Sequence, residues 1–111
     1  MQERLAQFKA DFFKALANPL RIRILDTLRG GAKGVNEISA LIGVAPTSVS
    51  QQLAILRGRN LVVATKSGTT VYYEVRDRKI FKLLDAAREI FGSQLMDVRQ
   101  TLRDLRNEAH T

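Results

Sequence analysis

The chain has no cysteine among its 111 residues and a single histidine, His110, next to the last position. The missing thiols exclude disulfides, thiolate metal sites, thiol redox sensing and cysteine nucleophiles together. One histidine in a tail cannot build a histidine-based catalytic pair or a metal cage within one chain. No phosphate-binding glycine loop and no nucleophile–base pair occurs, so an enzyme is the weakest functional class, and neither metal nor cofactor is expected. No apolar run approaches the ~20 residues that a membrane span needs. The opening MQERLAQFKADFF carries acids and lacks a signal-peptide core, so the expectation is a cytoplasmic protein with no membrane partner.

A further scarcity is local. Between Glu37 and Glu74 there is no acidic residue, while Arg57, Arg59 and Lys66 stand in that stretch. At eleven acids in 111 residues, about three or four would be expected there. A surface that faces phosphate needs such a gap, because a carboxylate would repel the nucleic-acid backbone. The chain as a whole carries 18 Lys and Arg against 11 Asp and Glu, a net charge of +7 with a pI near 10.4, which points to a polyanionic partner. Its length suits one domain, and 45% apolar with 26% charged residues is an ordinary folded balance.

Glycine and proline divide the chain. Leu5, Phe8, Phe12, Phe13 and Leu16 recur at helical steps over residues 2–17. Asn18-Pro19 ends that helix and opens the next, LRIRILDTLR, which buries Leu20, Ile24, Leu25 and Leu28 and stops at Gly30-Gly31. Asn36 is placed to cap a brief helix, NEISALIG, with Ser39 three residues on and Gly43 as its stop. Pro46 opens a fourth, PTSVSQQLAILR, with Val49, Leu53 and Leu56 on its apolar side and Gly58 at its end. The period then turns strand-like: LVVAT and TVYYEV flank K-S-G-T, a hairpin with Gly68 in the turn and with Tyr72 and Tyr73 on opposite faces, one in the core and one exposed. Asp77 is the expected cap of a last helix. Along it Ile80, Leu84, Ala87, Phe91, Leu95, Val98, Leu102 and Leu105 step by fours and threes. A helix of about 30 residues reaches roughly 45 Å, so its apolar stripe outruns its own domain and needs a partner.

Two short helices joined by a tight turn and followed by a hairpin make a winged helix-turn-helix, with residues 46–57 as the helix that enters a DNA major groove. Opposite its apolar side lie Thr47, Ser48, Ser50, Gln51 and Gln52, groups able to hydrogen-bond base edges or phosphates. Ser48 is also placed to cap its own helix. Arg57 and Arg59 are phosphate candidates, and Lys66 sits at the wing tip. Arg21 and Arg23 read as solvated rim or intramolecular ion pairs.

The runs FFKALANPLRIRILDTL, SVSQQLAILRGRNLV and GTTVYYEV resemble the ArsR/SmtB family of bacterial winged-helix repressors over about residues 8–85. The resemblance implies a fold that is mainly α with a small β-hairpin wing, dimerised through its N- and C-terminal helices on an operator of inverted-repeat symmetry. Residues 1–17 would be the N-terminal dimerisation helix, 19–58 the helix-turn-helix core, 61–75 the wing and 77–107 the C-terminal dimerisation helix. Thr47, Ser50 and Gln51 would read bases or sit beside phosphates. Gln52 stands where the family often has a histidine. Lys66, Ser67, Gly68, Thr69 and Thr70 would form the wing. The interface would hold Leu5, Phe8, Phe12, Phe91, Leu95, Val98 and Leu102.

The departures concern the signal. The metal-sensing branch carries Cys-x-Cys where this chain has G-V-N-E-I, so Gly34 and Asn36 offer no thiolate. Of the ligands that branch places on its last helix only Asp77 is present; Lys79, Ile90 and Ser93 supply none. The expected partners are therefore a double-stranded DNA operator, a second copy of the chain, and an effector of unknown kind: a small molecule at the helical seam, a protein, or none. Phe8, Phe12, Phe13 and Phe91 could line such a seam pocket, although aromatic stripes at this spacing are more often plain interface. The alternatives to a specific regulator are a winged-helix module that binds protein, and an architectural or RNA-binding protein that uses the charge without reading bases.

Overall fold

A computed structural model describes residues 2–109, apart from the side chains of residues 93–96. His110 and the Leu95 side chain therefore lie outside the described residues. The chain divides into two units, Met1–Arg78 and Lys79–Thr111.

In the first unit, α1 (Gln2–Leu16) gives way to α2 (Pro19–Thr27) across two residues. The Asn18 side chain makes this possible by accepting the N–H groups of Leu20 and Arg21 at 3.0 and 3.1 Å. Pro19 at the first helical position has no N–H to leave unpaired. Ahead of Gly31 the chain tightens into a 3-10 turn, Leu28–Gly30, where the sequence pattern suggested continued α-helix.

The next helix, α3 (Val35–Ile42), starts two residues earlier than a cap at Asn36 would have it. Gly34 and not Asn36 is its cap, and the Gly34 N–H donates to the Glu37 carboxylate at 3.4 Å. Glu37 occupies the third helical position, from which a carboxylate reaches back to the cap; Asn36 falls inside the first turn and is exposed. Ser39 serves the following turn, its hydroxyl donating to the Val44 carbonyl.

Gly43, Val44 and Ala45 connect α3 to α4 (Pro46–Gly58). Gly43 holds φ 67°, a left-handed conformation open to glycine at little cost. The two helices are bent by 115°, within the helix-turn-helix range of roughly 90–120°. The far end of α4 is closed by Asn60, the one non-glycine residue with positive φ (60°) among the described residues. The Asn60 N–H donates to the Arg57 carbonyl at 3.0 Å and the Leu61 N–H to the Leu56 carbonyl at 2.9 Å. These are the two bonds of a Schellman cap, and Leu56 and Leu61 are both buried beside it. Gly58 is thus the last helical residue, and Asn60 makes the turn.

Strands β1 (Val62–Ser67) and β2 (Thr70–Val75) pair antiparallel from Val62↔Val75 to Ser67↔Thr70, so the loop is only Gly68-Thr69. Gly68 has φ 64°, the positive angle that a two-residue hairpin demands at its first central position when the second is negative. Beyond β2, Lys33 adds a bridge: its N–H donates to the Tyr73 carbonyl at 2.9 Å and the Tyr73 N–H to its carbonyl at 2.8 Å. Tyr72 and Tyr73 are both half-buried, so the expected division into one core and one exposed ring does not occur. A two-stranded wing projecting from the body gives neither face complete cover.

Ile24, Leu25, Leu28, Ile38, Val49, Leu53 and Leu56 are fully inaccessible, with Ala15, Leu16, Leu61, Val62 and Val75 nearly so. Leu20 is only half-buried. The second unit is α5 (Lys79–Ala109). It begins two residues after Asp77; the Arg78 guanidinium donates to the Arg29 carbonyl at 2.9 Å. Among the described residues no single helix is long and apolar enough to cross a membrane.

Leu53→Ala should cost about 2–5 kcal/mol of unfolding free energy, because a fully buried side chain is removed from between α4 and the rest of the core. A urea denaturation curve checks this.

Candidate nucleic-acid interface

At about 100° per residue, Val49, Leu53 and Leu56 fall on one narrow side of α4, and the opposite side belongs to Thr47, Gln51, Ala54 and Gly58. The flanks carry Ser50 and Arg57 on one edge and Ser48, Gln52, Ile55 and Arg59 on the other. Thr47, Ser50, Gln51, Arg57 and Arg59 are exposed, whereas Ser48 and Gln52 are half-buried. The sequence pattern grouped all five polar residues as one reading face. In the fold they divide: Thr47, Ser50 and Gln51 are exposed, and Ser48 and Gln52 are partly covered.

The division has a cause in α2. The Arg21 guanidinium donates through Nε to Gln52 Oε1 at 2.8 Å and through Nη1 to the Ala15 carbonyl at 3.0 Å. Arg23 donates to the Ile42 carbonyl at 2.7 Å. Among the described residues neither arginine is in an ion pair; Arg23 lies on the exposed rim, as one of the two sequence alternatives had it, and Arg21 is half-buried. Both tie helices together through neutral oxygens.

Pairing leaves the cations of the interface uncommitted. Arg57, Arg59 and Lys66 are exposed, and among the described residues none has an acidic partner. Ser67, Gly68, Thr69 and Thr70 are exposed with Lys66 around the hairpin tip. The start of α4 adds a donor set that side-chain reasoning missed. Ala45 is its cap residue and provides no side-chain acceptor, so the first N–H groups of the helix are not capped by a side chain. Such a helix start, carrying the positive end of the dipole, accommodates a phosphate. The signal was present in the sequence as Ala before Pro46, where Ser, Thr, Asp or Asn would have been usual.

The terminal helices present another kind of surface. Phe8 is 78% exposed and Phe91 61%, with Leu5, Phe12, Val98, Leu102 and Leu105 also open to solvent. Phe12 stacks edge-on against Phe13, with ring centroids 5.7 Å apart. Phe8 and Phe12 also border a cavity of about 250 Å³ with Asp11, Ala15 and Arg59.

Residues 18–63 match the model of a bacterial regulatory protein family, the arsR family. The HTH-type transcriptional regulator Rv0081 of Mycobacterium tuberculosis is 39% identical over 105 residues, covering 94% of this chain and 92% of that one. The chain belongs to the ArsR family. The crystal structure of Rv0081 superposes with a TM-score of 0.76 at 37% identity, covering 84% of this chain and 94% of that one. The homodimeric winged helix-turn-helix DNA-binding domain of Mb0332 from Mycobacterium bovis gives 0.74 at 31% identity, over 85% and 87%. The transcriptional repressor BigR of Xylella fastidiosa gives 0.72 at 30%, over 81% and 92%. This ArsR-family chain is accordingly a DNA-binding transcriptional regulator of the winged helix-turn-helix class and not an enzyme.

Lys66→Ala should weaken DNA binding about equally for every sequence and lower the slope of log affinity against log salt by about 1 if Lys66 meets one phosphate. Fluorescence anisotropy at several salt concentrations measures the slope.

Proposed function

We propose that the chain acts as a homodimeric, sequence-specific repressor that binds an operator of inverted-repeat symmetry. One observation carries this reading: the polar outer side of α4 and the wing tip share a stretch free of acids, while the apolar stripes that need cover lie elsewhere, on α1 and α5. Two copies joined through those stripes carry twice the charge of +7 and offer two recognition helices. A two-fold pair of such helices meets successive major grooves about 34–36 Å apart, which requires an imperfect palindrome.

Within each half-site Thr47, Ser50 and Gln51 face the base edges, and the uncapped start of α4 with Arg57, Arg59, Lys66 and the wing residues Ser67, Gly68 and Thr69 holds the backbone. Leu5, Phe8 and Phe12 of α1 with Phe91, Leu95, Val98 and Leu102 of α5 form the subunit interface. The chain then works as one winged-helix domain, in the cytoplasm, and represses by covering promoter DNA. A small-molecule effector, where the regulator uses one, would enter the cavity beside Phe8 and Phe12, which already places aromatic rings next to Arg59.

A gel-shift titration on the DNA upstream of its own gene tests the reading. Binding should exceed that to random duplex at every salt concentration, and equal affinities would refute specific repression. Gln51→Ala should weaken the specific complex by ~1–3 kcal/mol and leave the non-specific one nearly unchanged. Phe91→Glu places a charge in the proposed interface, so in sedimentation the variant should run as a monomer and lose the palindrome with it.

A further inference from the structure

We infer that Arg21 is a positioning residue for base recognition: by holding the carboxamide of Gln52 in one orientation it makes Gln52 a donor-only reader, matched to guanine or thymine and not to adenine. The inference rests on the reading of α4 as the DNA-recognition helix.

Arginine has only donors, so the group that meets its Nε must be an acceptor. Whichever way an amide is drawn, the atom of Gln52 facing Arg21 is the carbonyl oxygen, at 2.8 Å. The amide nitrogen, with its two hydrogens, is the group that this bond leaves uncommitted. Arg21 itself has little freedom: its backbone N–H donates to Asn18 Oδ1 at 3.1 Å, its Nη1 to the Ala15 carbonyl at 3.0 Å, and it is half-buried. A planar guanidinium held at the end of α1 and the start of α2 therefore fixes a side chain on α4.

The chemistry follows from what is left free. An unconstrained glutamine offers one donor and one acceptor to adenine, the usual bidentate pairing. With its oxygen held toward Arg21 and one lone pair engaged, Gln52 has its N–H groups as the ones left to turn to DNA, and these fit the acceptor edges of guanine (O6 and N7) or thymine (O4) in the major groove. Its neighbour Gln51 is exposed and has no such anchor among the described residues, so it retains both functions. One arginine thus gives two adjacent glutamines different meanings.

The test selects preferred sites from a randomised duplex pool with the full chain and three variants. Wild type should prefer guanine or thymine at one position per half-site. Gln52→Ala should erase that preference, and Arg21→Met should relax it at the same position so that adenine is admitted, with about tenfold weaker binding to the best wild-type site. Gln52→Glu keeps an acceptor for Arg21 but has no N–H, so the preference should move to cytosine, whose amino group donates. Uniform weakening of all sequences by Arg21→Met, or effects of Arg21→Met and Gln52→Ala at different positions, would overturn the inference. The Gln52 side-chain amide resonances, recorded without DNA, report the pairing separately. They should be displaced in wild type and return toward the free-amide position in Arg21→Met, and identical spectra would also overturn it. A wild-type chain that selects no consensus would instead refute sequence-specific binding, and the base-reading role of Gln52 would fall with it.

Discussion

Three buried apolar side chains seat α4 in the core of the first unit, beside the hydrogen bond from Arg21 to Gln52. Val49, Leu53 and Leu56 are fully inaccessible, and their narrow stripe is the whole of what α4 gives to the core. Everything else about the interface depends on that economy. A wider apolar face would have consumed the positions now occupied by Ser50 and Gln52, and a narrower one would not hold the helix at 115° to α3. The ends are fixed by backbone devices: left-handed Gly43 before the helix, and the cap at Asn60 after it, which delivers the chain into β1 with Leu61 already buried.

On this frame the electrostatics are arranged by omission. Arg57, Arg59 and Lys66 stand in a stretch of sequence without acids, and among the described residues none is in an ion pair, although Arg59 shares a cavity with Asp11. The arginines of α2 do the opposite. Arg21 and Arg23 are spent on carbonyl oxygens inside the unit, so two residues that count equally toward the net charge join helices to one another.

Much of this was legible in the residues. Helices carried by strong punctuation were readable almost to the residue: Asn18-Pro19 and Pro46 mark starts that the structure reproduces, and the stripe of α4 is the stripe of its sequence. The failures share a physical origin in competition among local acceptors. Gly34 displaced Asn36 as a cap because Glu37 supplies the carboxylate from inside the helix. Gly58 ends α4 as its position suggests, but the turn itself is made two residues later by Asn60, beside the buried Leu61. Within the candidate interface, exposure of Thr47, Ser50 and Gln51 could be read from helical spacing. The tethering of Gln52 could not, since it joins residues 31 apart in sequence through a contact that no periodicity encodes. The bridge between Lys33 and Tyr73 escaped for the same reason.

The open aromatic and aliphatic faces of α1 and α5 have a consequence for dosage. Where two copies must meet before either reads its site, the active species grows with the square of copy number while monomers predominate. Promoter occupancy then becomes a steep function of synthesis and dilution. A chain without thiols or a histidine cluster to couple it to oxidants or metals would still sense one variable, its own abundance.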